Sequence, residues 1–421
     1  MVSFGFSVLF VFFFLLTLVL RYWLASRHMR HVLRHRAQVP ADFAAKIPLA
    51  AHQKAADYTV VRTRFGLFHA LWGGLTLIGF TLLGGLQALS NGVLQLLGPG
   101  MAHQAGLVLA FVLVSGLLDL PFEYYRQFVL EQRFGFNKMT VKLWLDDMWK
   151  QTAIGAALGL PLLWAVLTLM DKAGPLWWLY TWVVFSAYQL LLMVIYPLYI
   201  APLFNTFTPL SDAALKTRIE GLMTRTGFTS QGLFVMDGSK RSAHSNALFS
   251  GFGANKRIVF FDTLIERLAP QEIEAVLAHE LGHFKLKHIV KRIGVLFALS
   301  LAFLALLGWL KGQAWFYTGL GVTPLLGQSN DAMALLLFML VLPVFLFPFA
   351  PLSSLGSRKH EFEADAFAAR HSDVRDLISA LVKMYDDNAS TLTPDPIHSA
   401  FYDSHPKASV RVQHLQQAGL A

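Results

Sequence analysis

Apolar runs constrain this chain more than any motif does. Seven of them, at about 4–24, 66–88, 104–122, 152–171, 177–198, 293–311 and 333–352, approach the roughly 20 residues that a helix needs to cross ~30 Å of hydrocarbon. Lipid offers no hydrogen-bond partner to an open backbone, so each run must be helical. Composition agrees: 55% of the residues are hydrophobic and 14% charged, against roughly 25% charged in ordinary soluble proteins. The expected class is a mainly α, polytopic membrane protein. The first run reads as a retained span and not a signal peptide, because its core from Phe4 to Leu20 is long, no basic residue precedes it and no small-residue cleavage site follows.

A formal charge of +9 raises the question of nucleic acid, but the cations sit beside the apolar runs, which speaks for membrane topology and against a nucleic-acid partner. Arg27, Arg30, Arg34, Arg36, Lys46, Lys54, Arg62 and Arg64 separate the first two runs, whereas Gln87 to Gln104 holds no Lys or Arg. The positive-inside rule puts that first loop in the cytoplasm. Alternation then places the C-terminus and both long polar segments there too. Four parts are expected: a five-span membrane region at 1–198, a cytoplasmic segment at 199–292, a two-span hairpin at 293–352 and a second cytoplasmic segment at 353–421. Leu233–Met236 and Ile258–Phe261, on either side of Asp237-Gly238, predict a small strand pair.

Cysteine is absent, so thiolate sites and cysteine nucleophiles are excluded and any metal must sit on His, Asp or Glu. Ala269-Pro270-Gln271-Glu272 opens a helix that carries His279-Glu280-Leu281-Gly282-His283. At ~3.6 residues per turn both imidazoles lie on one face, able to share one ion, and Glu280 stands beside them as a candidate general base. Such a pattern recurs by chance. Here, however, Ala275 to Ala278 make the preceding turns apolar, and polar groups buried there need compensation that a zinc ion supplies.

A third ligand is required. A histidine six residues after His283 would provide one, but Ile289 occupies that place, and His288 is out of register and reads as a basic-side helix residue. Ser357 to Arg370 offers a carboxylate instead. Glu361 and Asp365 share a helix face, while Glu363 is turned roughly 200° from Glu361. Glu361 is the expected ligand and Asp365 an acceptor for a histidine N–H. The two spans between His283 and Glu361 form a hairpin that brings both back to one membrane face. From the residues alone, His405 before Pro406 is either a turn histidine or an oxyanion donor, and Arg411 an ordinary surface cation. Asp119, near the end of the third run, should face protein or water.

These motifs, together with EQRFGFNKMTVKLWLDD (131–147), GSKRSAHSNALFSGFG (238–253), SRKHEFEADAFA (357–368) and DSHPKASVR (403–411), resemble the type-1 CAAX prenyl endopeptidase family of membrane zinc proteases. The resemblance implies zinc on His279, His283 and Glu361, Glu280 as general base, and Asp365 in support. It also implies Asn246 near a substrate-binding strand, His405 and Arg411 close to the scissile carbonyl, and seven helices around a water-filled chamber. The substrate is expected to be a peptide or protein associated with the bilayer. Leu248 stands where relatives often carry an aromatic residue, and the tail after Arg411 shows no retention signal, which with the charge bias suggests a bacterial inner membrane with the site toward the cytoplasm. Nothing in the sequence sets an oligomeric state. Two other readings are a quality-control protease of the heat-shock membrane class, which usually has fewer spans, and a scaffold or permease, whose signature would be loss of Glu280 or a ligand.

Overall fold

A computed structural model describes residues 1–244, 247–250, 257–325 and 327–419. Among the described residues, six helices are long and apolar enough to cross a membrane: Val2–Arg34, Met101–Phe134, Val141–Lys172, Gly174–Leu203, His288–Leu310 and Asp331–His371. A seventh crossing is a bent pair, Leu49–Phe80 with Gly85–Leu97, whose halves meet at 56°. The first helix shows why these segments suit lipid. It leaves Phe4, Val8, Leu9, Phe12, Leu15 and Val19 exposed, while Phe10 turns inward to a core with Leu86, Leu107, Leu167, Trp177, Leu307 and Leu337.

The second expected span, 66–88, is therefore not one straight helix. Its helix starts at Leu49 and stops at Phe80, where Gly84 takes φ 78° and the next helix begins at Gly85. Gly84 caps the start of that next helix in a left-handed conformation that glycine adopts at no steric cost, and a Cβ on Gly85 would lie 2.6 Å from the Gly79 carbonyl oxygen. The glycine pair makes the bend possible. Across the molecule, Lys311 Nζ meets Asp331 Oδ1 at 2.6 Å, closing the far end of the hairpin between the last two spans. Asp119 faces His69, at 3.4 Å, on the wall of an interior cavity.

Outside the spans lies a four-stranded sheet: β1 (Phe207–Pro209), β2 (Leu233–Met236), β3 (Ala247–Ser250) and β4 (Arg257–Phe261), in the order β1-β2-β4-β3. The two runs expected to pair do so, with Leu233 opposite Ile258, but in parallel. Parallel neighbours need a crossover; the chain makes it through β3, which runs antiparallel along the far side of β4. Asp237-Gly238 is consequently no hairpin turn. Gly238 lies under the Phe261 ring, where a Cβ would come within 2.7 Å.

Against this sheet packs the helix Pro270–Lys285, with proline in its first turn, where a missing N–H costs nothing. Glu272 accepts from the Ala269 N–H at 2.7 Å, and Ser379 and Lys383 hold the same carboxylate from a neighbouring helix, Val374–Asp387. Ile273, Leu277 and Leu281 enter a core with Leu215, Ile219, Phe260, Leu264 and Leu377. The helix is thus fixed at its start and along its length. Its polar residues are delivered to one place.

Candidate metal centre

Two helices build the centre, Pro270–Lys285 and Ala350–His371. His279 Nε2 and His283 Nε2 stand 3.2 Å apart. Glu361 reaches between them, Oε2 3.6 Å from His279 Nε2 and Oε1 3.3 Å from His283 Nε2. The three residues offer donor atoms within 4.8 Å of one another.

A cation fits this group on two grounds. Glu361 is 4% exposed, and its Oε2 accepts no hydrogen bond, with Arg411 Nη1 standing off at 3.7 Å; a buried carboxylate oxygen left so is costly, and a closer positive charge offsets that cost. Two histidine nitrogens and a carboxylate converging on one point are also the donor set of a catalytic zinc site with a position left open. Burial disfavours charge on His279, yet the adjoining carboxylates of Asp365 and Glu361 outweigh it and raise its pKa above the ordinary histidine value. The pocket therefore attracts positive charge.

Behind His279, Asp365 Oδ1 lies 2.8 Å from its Nδ1. Asp365 is fully buried and receives a two-point clamp from Arg411, Nε at 2.9 Å and Nη2 at 2.6 Å. Arg411 Nη1 also stands 3.7 Å from Glu361 Oε2. Far from being a surface cation, Arg411 is 5% exposed and links both carboxylates.

Glu280, half-buried, and His405 line a cavity of about 900 Å³ together with His279, Glu361 and Arg411. His405 Nε2 is 3.4 Å from Glu361 Oε1. The opposite wall comes from membrane helices through Arg21, His28, Tyr58 and Arg62. A second cavity of about 520 Å³ shares Arg21, Gly66 and Ala70 with the first and continues among the spans. Seven of the eight expected site residues are thus gathered at one cavity mouth or directly behind it. Asn246 lies outside the described residues.

Two sequence blocks far apart in the chain meet beside the sheet. Arg241 clamps Asp147 at 2.8 and 3.0 Å, Phe136 stacks on His244 at 4.4 Å, and the backbones exchange bonds from Lys138 to Arg241 and from Ala243 to Phe136. Both blocks stand out in the sequence, but nothing local in either signals that they touch. His288, expected as a basic-side helix residue, is instead 4% exposed and faces His283.

The N-terminal half, residues 28–206, matches the model described as CAAX prenyl protease N-terminal, five membrane helices, and residues 209–418 match peptidase family M48. CAAX prenyl protease 1 of Saccharomyces cerevisiae is 36% identical over 386 residues, covering 86% of this chain and 85% of that one. The chain belongs to the M48 CAAX prenyl protease 1 family. The Arabidopsis thaliana homologue of that protease is 35% identical over 389 residues, 89% of each chain. The crystal structure of S. mikatae Ste24p superposes with a TM-score of 0.90 at 32% identity, covering 97% of this chain and 99% of that one. As a member of this family the chain is an integral-membrane metalloendopeptidase, with its spans around a chamber. Loss of Glu280 or of a ligand, the signature of a non-catalytic scaffold, is not found.

Proposed function

We propose that the protein is a zinc endopeptidase that cuts extended peptide segments presented at the cytoplasmic face, C-terminal CAAX-type tails among them. What carries the reading is the buried Glu361 carboxylate, set between two histidine nitrogens with its Oε2 accepting no hydrogen bond, on a cavity that the membrane helices help to line. His279, His283 and Glu361 would hold the zinc, which when bound supplies Lewis-acid chemistry, lowering the pKa of water and polarising the scissile carbonyl. Glu280 takes the proton of the attacking water and passes it to the leaving amine. Asp365, held by Arg411, keeps the proton of His279 on Nδ1 and its Nε2 lone pair forward. His405, on the cavity wall, donates an N–H toward the oxygen of the scissile carbonyl as charge develops there, and Arg411 adds positive potential from behind.

Substrate alignment is assigned to β3, the end strand of the sheet, and to Asn246 just before it. An end strand can take up an extended peptide through its unpaired backbone groups. The cytoplasmic orientation rests on the basic loop between the first two spans. The location is a membrane; the relatives named above are eukaryotic and lend a bacterial inner membrane no support.

The test uses purified protein in detergent with a farnesylated CAAX-tailed peptide, its unmodified twin and an unfolded membrane-protein fragment. Cleavage of the farnesylated tail, abolished by chelation and restored by zinc, is the expected result. Cleavage of the fragment alone would favour quality control over tail processing.

A further inference from the structure

His288 is buried at the edge of the centre and has no part in the chemistry outlined so far. Its Nδ1 lies 3.0 Å from His283 Nδ1, and its Nε2 lies 2.8 Å from Glu363 Oε2. Two facing ring nitrogens at that distance share a single proton. When His283 offers Nε2 to a metal, the proton sits on its own Nδ1. His288 Nδ1 is then the acceptor, so the second proton is on His288 Nε2 and points at the Glu363 carboxylate. Each atom along the line has a consistent role.

The backbone is bent to achieve this. In an unbroken helix a residue five positions on lies about 140° around the axis, and His288 would face away from His283. Instead the first helix ends at Lys285, and Lys287 adopts φ 58°, a left-handed conformation uncommon outside glycine. The turn brings His288 back as the first residue of the span His288–Leu310.

We propose that His288, anchored by Glu363, is a positioning residue for His283, fixing its tautomer and ring orientation as Asp365 does for His279. The inference rests on the zinc reading given above. His288, His360 and Glu363 also form a three-residue group with donor atoms within 4.8 Å, which raises a second ion site. Proton placement opposes it. A metal on His288 Nε2 would move that proton to Nδ1, facing His283 Nδ1 and driving the other proton onto the nitrogen that His283 needs for its own metal. The His288 and His360 rings moreover stack at 4.1 Å with 12° between planes, so their in-plane lone pairs run side by side and do not converge.

The experiment titrates metal-stripped full-length protein in detergent with zinc against a competing chelator, and records the visible spectrum of the cobalt form. His288→Ala should weaken zinc about 10–100-fold, the usual cost of losing such a partner, and shift the cobalt bands. His288→Asn, whose Oδ1 can accept from His283 Nδ1, should recover most of the affinity. Glu363→Gln should weaken zinc less than His288→Ala, and His360→Phe, which keeps the stacked ring, should leave affinity and stoichiometry at wild type. If His288→Ala fails to fold, Glu363→Gln decides, since a wild-type affinity and cobalt spectrum there would overturn the relay, as they would in His288→Ala. Two zinc ions per chain, falling to one in His360→Phe, would overturn it in favour of a second site. A wild-type protein that binds no zinc would instead refute the metal centre itself.

Discussion

Gly282 packs tightly against Ala364: a Cβ on Gly282 would sit 3.0 Å from the Ala364 Cα and 3.0 Å from the Phe367 Cβ, closer than a side chain fits without its neighbours giving way. This contact sets how closely the histidine helix approaches the helix that carries Glu361. The glycine inside the HELGH motif is therefore a spacing element of the centre.

Gly282→Ala should push the two helices apart. Overpacking of this kind typically costs about 1–3 kcal/mol, and the displacement draws Glu361 away from the histidines. A lowered melting temperature in detergent, with zinc lost at chelator concentrations that leave wild type loaded, is the expected outcome. Wild-type stability and zinc retention would show that the helices have slack the contact denies.

Arg411 is expected to matter more to stability than any surface arginine. Its removal leaves Asp365 and Glu361 buried with less compensation, and breaking a buried pair typically costs about 3–5 kcal/mol. Arg218 makes a comparable contact to Glu274 at 2.5 Å, but it is half-exposed and Arg225 holds the same carboxylate. Arg218→Ala should cost less than about 1 kcal/mol. Thermal unfolding of both variants checks the contrast, and equal losses would contradict it.

Asn246→Ala tests substrate alignment by the end strand. Across peptides of equal length and varied side chains, cleavage should fall by a similar factor with zinc content unchanged, as backbone reading by the strand requires. A loss confined to one side-chain type would remove Asn246 and β3 from that role.

What could be read from the sequence follows from which interactions are local. The spans were legible because each is a continuous apolar run, and His279, His283, Glu361 and Asp365 because helical period alone decides which residues share a face. The break after Phe80 was not, since the apolar run continues through it and the decision lies with Gly84 and Gly85. The strand pair was found without its direction, which depends on the crossover through β3. His288 was misplaced because the helix was counted on through Lys287, where the backbone turns left-handed. Arg411 and the Asp147–Arg241 clamp are tertiary pairings across 46 and 94 positions, beyond any local period.

In the proposed mechanism Glu280 acts on water at a metal held by His279, His283 and Glu361. The most direct measurement determines zinc content and turnover together for wild type, Glu280→Gln and Glu361→Ala. About one zinc per chain is expected in wild type and in Glu280→Gln, with turnover in the latter reduced at least about 10²–10⁴-fold, whereas Glu361→Ala should lose metal and activity together. Near-normal turnover in Glu280→Gln would remove Glu280 from the base role, and full zinc content and activity in Glu361→Ala would remove Glu361 from the ligand set.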